Sequence, residues 1–397
     1  MKSLRSIWGN ILCALLILMS SAMAETKPDA AATSVLFNPP KLNRDIDLQR
    51  KTFDAQTNII NETPLNDPSL AFSVRLPKDW KKFNAGKAEL DATSASDILG
   101  VLAEYVSPLN VDQQSKFRVR AGKLPFTISA RNWLLNYIVT NNYTLQGLDE
   151  VSPTRIAAQY VYVDGGTQYV SRAVAQISGS KIILAETIMP ISLWATERDK
   201  AVWSMISFKV TAPSTNPIEE NLSYSFVDIA KFSYPKSWLL YSEPVDSIER
   251  MNAVLVNIKG GSEGRKVEST KELAALALDG RIDITSLIKK DKQSLTIEIN
   301  ALKENMKSLG FDVGEYLGEV KDIKTHPSVL QSRTDVYKIS APQLRLIDYE
   351  LWFSVVETEG RYYILQTISI GRDNDFYAWA RNMETLKLVM GSLSPVK

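Results

Sequence analysis

The sequence predicts an α+β protein of two tandem domains, each an antiparallel sheet flanked by helices. Three observations lead there. An apolar strand that runs into a Pro-Lys-x-Trp turn occurs twice, as Phe72–Trp80 and Phe232–Trp238. Alternating apolar and polar runs separated by glycine turns occur late in each half, as half-buried strands in hairpins require. Between the halves lies a polar run with two prolines, Thr211–Asn221, which has the composition of a linker.

Taken in chain order, Met1–Ala24 has the parts of a secretory signal. Lys2 and Arg5 precede an apolar run, and Ala22-Met23-Ala24 offers small residues for cleavage before Glu25. The run is shorter than the ~20 residues of a membrane span, and no later segment is apolar for long enough. Export and a periplasmic location are expected, with no integral membrane span after cleavage. The single cysteine, Cys13, falls inside this signal, so the mature chain would have no disulfide, thiolate nucleophile or Cys-ligated zinc.

Residues 25–68 read as a flexible N-terminal arm. Its first part is rich in Ala, Thr, Asp and Pro. Leu42–Ile60 could form a helix that packs on the first domain or on a partner. Residues 69–210 and 222–397 are expected to be the two domains, with 211–221 as the linker. Removing Lys2 and Arg5 leaves 46 − 2 = 44 basic residues against 45 acidic. That balance lacks the basic footprint of a nucleic-acid-binding protein.

The halves match at three places in the same order, which argues for duplication. The Pro-Lys-x-Trp turns align Trp80 with Trp238. A helix followed by an acidic turn aligns Trp133–Val151 with Leu302–Val320, pairing Glu150 with Glu319. The β-rich runs Lys181–Ile188 and Tyr363–Ile368 align Thr187 with Thr367. The offset grows from 158 to 180 residues, so the second copy is longer by about 22, most simply between Gly260 and Lys303. The hairpin Gln159–Ile177 turns at Gly165-Gly166. Phe376, Trp379, Met383, Leu386 and Met390 make an apolar stripe on a final helix.

On the strand-Pro-x-x-Trp opening, the mid-domain helix, the hairpins and the final helix, both halves resemble the PsbP/Mog1-like family, which includes small exported bacterial proteins. The resemblance implies an antiparallel sheet flanked by helices. It implies no catalytic motif; members of such families serve as assembly factors, accessory subunits and binding proteins.

Little in the chain points to catalysis. His326 is the only histidine, so a multi-histidine zinc site cannot form, and no G-x-S-x-G elbow accompanies it. It reads as a solvent-facing turn residue. Gly260–Lys266 fails the P-loop spacing and reads as a turn. Glu150 and Glu319 read as turn acids. Asp373-Asn374-Asp375 lacks the glycine and final acid of a calcium loop, so Asp373 or Asp375 is expected to cap a helix. Trp80, Trp203, Trp238 and Trp379 are assigned to core packing. Trp194 falls outside the apolar periodicity and is the candidate partner-binding residue, an exposed aromatic anchor.

No catalytic, cofactor-binding or metal residue is expected, and no cofactor. The expected function is a non-catalytic periplasmic binding or assembly protein, an accessory part of a cell-envelope complex with protein partners. The alternatives are a carboxylate-based hydrolase with a site between the domains, or a carrier of a small ligand or lipid.

Overall fold

The structure is a computed structural model. It describes residues 39–83, 99–110, 113–242, 244–262, 265–267, 269, 272–273, 276, 278–290, 292–308, 310–321, 323–340 and 348–396. The expected signal, with Cys13, and part of the 260–266 glycine cluster lie outside them.

The chain forms two α+β units. In the first, α1 (Arg50–Gln56) leads into β1 (Thr57–Glu62), β2 (Phe72–Pro77), β3 (Lys81–Phe83), β4 (Gly100–Val106) and β5 (Lys116–Lys123). Then come α2 (Ala130–Thr140), β6 (Thr144–Ser152), β7 (Arg155–Asp164), β8 (Thr167–Ser178), β9 (Lys181–Pro190), α3 (Ile191–Ser207) and β10 (Lys209–Val210). The main sheet has the antiparallel order β3-β4-β5-β9-β8-β7-β6, and β1-β2-β10 form a small second sheet.

From β1 onward, the second unit repeats this sequence of elements. It has β11 (Asn221–Phe226), β12 (Ala230–Pro235), β13 (Leu239–Tyr241), β14 (Arg250–Ile258) and β15 (Leu278–Ile288). These are followed by α4 (Lys292–Ser308), β16 (Asp312–Glu319), β17 (Gln331–Ser340), β18 (Tyr349–Glu357), β19 (Arg361–Ile370), α5 (Phe376–Ser392) and β20 (Ser394–Pro395). Its sheets have the orders β13-β14-β15-β19-β18-β17-β16 and β11-β12-β20, the same as in the first unit. Trp80 N–H donates to the Pro77 carbonyl and Trp238 N–H to that of Pro235, so the two opening turns are alike.

Local chemistry accounts for the elements. Gly165 (φ 55°) and Gly166 (φ 80°) supply the two positive-φ positions of a tight hairpin turn between β7 and β8. Ser129 caps α2, accepting from the Asn132 N–H, and Asp375 caps α5, accepting from that of Ala378 at 2.9 Å. In the first unit, Phe72, Val119, Ile183, Ala185, Met205 and Phe208 form a buried core on the α3 side of the sheet. No helix among the described residues is long and apolar enough to cross a membrane.

Some sequence expectations change. Leu42–Ile60 is not one helix. α1 covers seven residues, and the β-branched run from Thr57 pairs antiparallel with β2 instead. The six residues of β1, in the segment expected as an arm, therefore belong to a sheet. The extra length of the second copy is also distributed. Lys81 pairs with Val106 and Leu239 with Val256, giving offsets of 239 − 81 = 158 and 256 − 106 = 150. Phe117 pairs with Thr187 and Ile282 with Thr367, giving 282 − 117 = 165 and 367 − 187 = 180. Relative to the first, the second copy is thus 158 − 150 = 8 residues shorter between β13 and β14, 165 − 150 = 15 longer between β14 and β15, and 180 − 165 = 15 longer between β15 and β19.

Residues 39–48 lie along the first unit as a strap. Lys41 bridges in parallel to Leu148 on β6, with Leu148 N–H donating to the Pro40 carbonyl (2.9 Å) and Leu42 N–H to that of Leu148 (3.1 Å). Further on, the Asp47 and Leu48 N–H groups donate to Asp199 Oδ2 on α3, and Trp203 Nε1 donates to the Leu48 carbonyl at 2.8 Å. Trp203 is only half-buried and also stacks on Phe53 of α1.

Candidate binding surface

Trp194 sits in the first turn of α3, which begins directly after Pro190 at the end of β9. It is half-buried, while its neighbour Ile191 is 46% exposed. The Ser192 hydroxyl donates to Gln113 Oε1, and Gln113 and Asn110 exchange backbone hydrogen bonds at 2.9 Å. That chain of bonds brings Leu109, 69% exposed, to the same corner. Leu109, Ile191 and Trp194 are apolar groups left outside the core at one end of α3.

A buried charged network of the first unit lies elsewhere, on the α2 side of the main sheet. Glu186, on β9 and 2% exposed, accepts from Arg120 of β5 through Nη2 (2.6 Å) and Nε (3.1 Å) and from the Tyr160 hydroxyl of β7. Arg120 also donates to the Tyr137 hydroxyl from α2. Arg118 donates to Glu104 at 2.6 Å in the next pair. Tyr143 stacks on Tyr160 and Tyr162, with centroids 5.3 and 4.7 Å apart. Burial and then the Glu186 charge push the Tyr160 phenol well up. Burial works to lower the Arg120 guanidinium, and Glu186 together with Tyr137 and Tyr160 outweighs it, so the cation is held. The carboxylate is consumed by the protein's own donors, the arrangement of a structural ion pair. The equivalent of Glu186 in the second unit is Gln366 (366 − 186 = 180).

The second unit has its own buried acid on the opposite, α5 side. Glu350 Oε2 accepts from Trp352 Nε1 and Trp379 Nε1, both at 2.9 Å, and from Arg372 Nη2 at 2.8 Å. Asn382 of α5 lies over Gly280 and donates to the Asp279 carbonyl and to Ser369 Oγ, each at 2.8 Å. Beside it, burial and then Asp375 push the Asp279 carboxyl up.

The remaining sequence candidates are scattered. His326 Nδ1 is 2.8 Å from Ser328 Oγ and accepts from the Ser328 N–H, a closed local turn in which no carboxylate among the described residues orients the ring, and the residue is half-buried rather than open to solvent. Glu150 and Glu319 are exposed on β6 and β16 and are not equivalent. Glu150 faces Ile156, whereas Glu319 faces Asp335, the counterpart of Ala158. An alignment on sequence alone missed the two register shifts in β16. Trp238 and Trp379 are buried as expected, and Trp80, half-buried, packs against the first-unit core. Among the described residues, no three His, Cys, Asp or Glu side chains are grouped to hold a metal ion.

Sequence reasoning missed the Glu186 and Glu350 networks. The available signal was an acid inside a run otherwise free of charge: Glu186 in Ile182–Ile188 and Glu350 before Leu351-Trp352-Phe353.

No protein-family model and no curated protein sequence matches the chain. Several solved structures are similar to it in fold. LpqN of Mycobacterium tuberculosis, described as involved in cell envelope biogenesis, aligns at 13% identity over 41% of this chain and 96% of its own, with a TM-score of 0.27. Cyanobacterial PsbP from Synechocystis aligns at 12% identity over 38% of this chain and 91% of its own, with a TM-score of 0.28. The immunity protein TplEi of the Pseudomonas aeruginosa T6SS aligns at 13% identity over 86% of this chain and 98% of its own, with a TM-score of 0.22. A mutant of Mog1 is also among these structures, at 12% identity over 43% of this chain and 97% of its own, with a TM-score of 0.28.

Proposed function

We propose that the protein is exported to the periplasm and acts there as a non-catalytic binding or assembly protein, gripping a protein partner through the α3 corner of its first domain. The supporting observation is the apolar corner itself. Trp194, Ile191 and Leu109 are held on hydrogen-bonded backbone but not covered by the core. Aromatic anchors in such settings commonly carry about 2 kcal/mol or more of binding energy.

The test is affinity isolation of the tagged full chain from the native envelope, with Trp194→Ala beside it. The expected result is a co-purifying protein whose Kd rises at least ~30-fold in the variant, the equivalent of ~2 kcal/mol, with the thermal midpoint nearly unchanged. N-terminal sequencing should find the mature chain starting within a residue or two of Glu25. Capture unaffected by Trp194→Ala would remove the anchor, and retention of Met1–Ala24 would remove the periplasmic reading. Because TplEi is an immunity protein, the isolation is repeated on cells exposed to a T6SS-bearing neighbour. A partner captured only then would replace the assembly role with an immunity role.

A further inference from the structure

The two main sheets end on equivalent edge strands, β6 and β16, and among the described residues only the β6 edge is filled. Tyr160 pairs with Ser171 and through it with Ile188, and Tyr337 pairs with Leu351 and through it with Ile368. The offset on the penultimate strands is therefore 337 − 160 = 177. It carries Gln159 and Ala158 onto Val336 and Asp335, whose edge partners are Gly147 and Leu148 in β6 and Gly318 and Glu319 in β16. A glycine thus occupies the same edge position in both units.

In β6 that position has an occupant. Pro40 to Leu42 run parallel to the edge and take both backbone hydrogen bonds of Leu148. Leu42 is 4% exposed, and a Cβ on Gly147 would lie 3.0 Å from the Leu42 Cα. The glycine lets the strap approach. Arg44, two residues on, forms an ion pair with Asp149 beside Leu148. The occupant is therefore an extended segment with an apolar residue at the glycine and a basic residue after it.

In β16 no described residue occupies the same place. A Cβ on Gly318 would meet nothing within 4 Å, and Tyr316 and Leu317 are 49% and 46% exposed. Asp312, Glu315 and Glu319 are exposed along the strand. The bulges of β16 do not disqualify it, because β6 carries one at Leu145/Gly147 and still takes the strap. An open strand edge is a template for another chain, and added strands gain affinity from main-chain hydrogen bonds.

We infer that the β16 edge at Leu317–Val320 binds an extended segment of a partner protein, running parallel to it, with an apolar side chain against Gly318 and a basic residue facing Glu315 or Glu319. This rests on the reading of the protein as one that binds proteins, but it uses a surface separate from Trp194.

The experiment measures fluorescence anisotropy of a labelled peptide copying residues 39–46 against the full mature chain. Glu319→Pro removes the N–H equivalent to that of Leu148, and a Glu315→Lys/Glu319→Lys double variant keeps the backbone and reverses the charge. Saturable binding is expected, weakened at least tenfold in each variant, with slowed amide exchange at residues 316–320 when the peptide is bound. Should Glu319→Pro unfold the second domain, the double variant and the exchange map still decide. Binding that ignores both variants, or protection confined to β6, would overturn the inference. So would a concentration-dependent dimer abolished by these substitutions, which would make a second copy the occupant. Trp194→Ala should bind the peptide as the parent does. A failed peptide with intact Trp194-dependent capture would discard the edge and leave the partner-binding function standing.

Discussion

Each domain closes on a helix whose first turn carries a tryptophan, and the two copies treat it in opposite ways. Trp194 and Trp379 both lie fourteen residues before the helix C-cap (208 − 194 and 393 − 379). Three residues further on, Glu197 accepts from Ser115 in one copy and Asn382 covers Gly280 in the other, and 280 − 115 = 165 is the offset of those strands. Trp379 is 7% exposed, lies 5.5 Å from Phe376 and 6.0 Å from Trp352, and donates to Glu350. Trp194 is half-buried, with Ile191 exposed in the place of Phe376.

The difference arises on the neighbouring strand. Where the second copy has Glu350 and Trp352, the first has Val170 and Arg172. Arg172 turns to the strap, donating to the Asn43 carbonyl at 2.8 Å, and burial with Arg44 nearby pushes its guanidinium down to about 10. Two residues on β8 or β18 therefore decide whether the same helical turn is core or surface. A duplicated fold can release one copy of a position for binding while the other keeps its packing role.

The largest effect that would sharpen this comparison is that of Trp379→Ala. Removing a buried tryptophan should cost about 3–5 kcal/mol of stability, whereas Trp194→Ala should cost under ~1 kcal/mol, closer to a surface change. Urea unfolding of both variants checks this, and equal losses would erase the distinction. Next is Gly280→Ala. The added Cβ would lie 2.3 Å from the Asn382 amide, so the buried amide must shift. Overpacking of this kind costs about 1–3 kcal/mol, read as a lower urea midpoint. A neutral result would mean that the helix end adapts, as the serine at the equivalent position 115 already allows in the first domain.

A smaller effect is expected from Asp279→Asn. Its carboxyl is held above 3.8 by burial and by Asp375, so the folded state binds a proton more readily than the unfolded chain. Stability should fall as pH rises from 3.8 through the raised folded value. The amide should remove that fall and leave the protein more stable at neutral pH. Thermal midpoints from pH 3 to 8 test it, and a destabilised variant at pH 7 would contradict the sign. The smallest effect belongs to His326→Ala. Among the described residues its ring hydrogen-bonds only to Ser328, two residues away, so stability should change by no more than ~0.5 kcal/mol and partner capture should be unchanged. Lost capture at unchanged stability would place chemistry or recognition at that turn.

The sheets were legible in the sequence because strand alternation and glycine turns are local signals. Gly165-Gly166, the Pro-Lys-x-Trp turns and the apolar stripe of α5 all led to elements that formed. Register was not legible. The bulges of β16 shift pairing by residues that no local pattern marks, so Glu319 was matched to Glu150 rather than to Leu148. Arg172, Glu186 and Glu350 were not legible either, since a lone charge in a strand looks solvent-facing until its partners, as far as 129 residues away, are in place.

The strap imposes a chronology on the first domain. Its residues leave the ribosome early, yet Asp47 and Leu48 dock on Asp199, and Leu48 also on Trp203, contacts separated by 151 to 155 positions. Until α3 has been delivered, those backbone groups have no destination, just as Leu42 has none until β6 is in place. Chain entry and structural closure therefore run in opposite order. The segment that emerges first is among the last to settle, and contacts of such long range slow the final step.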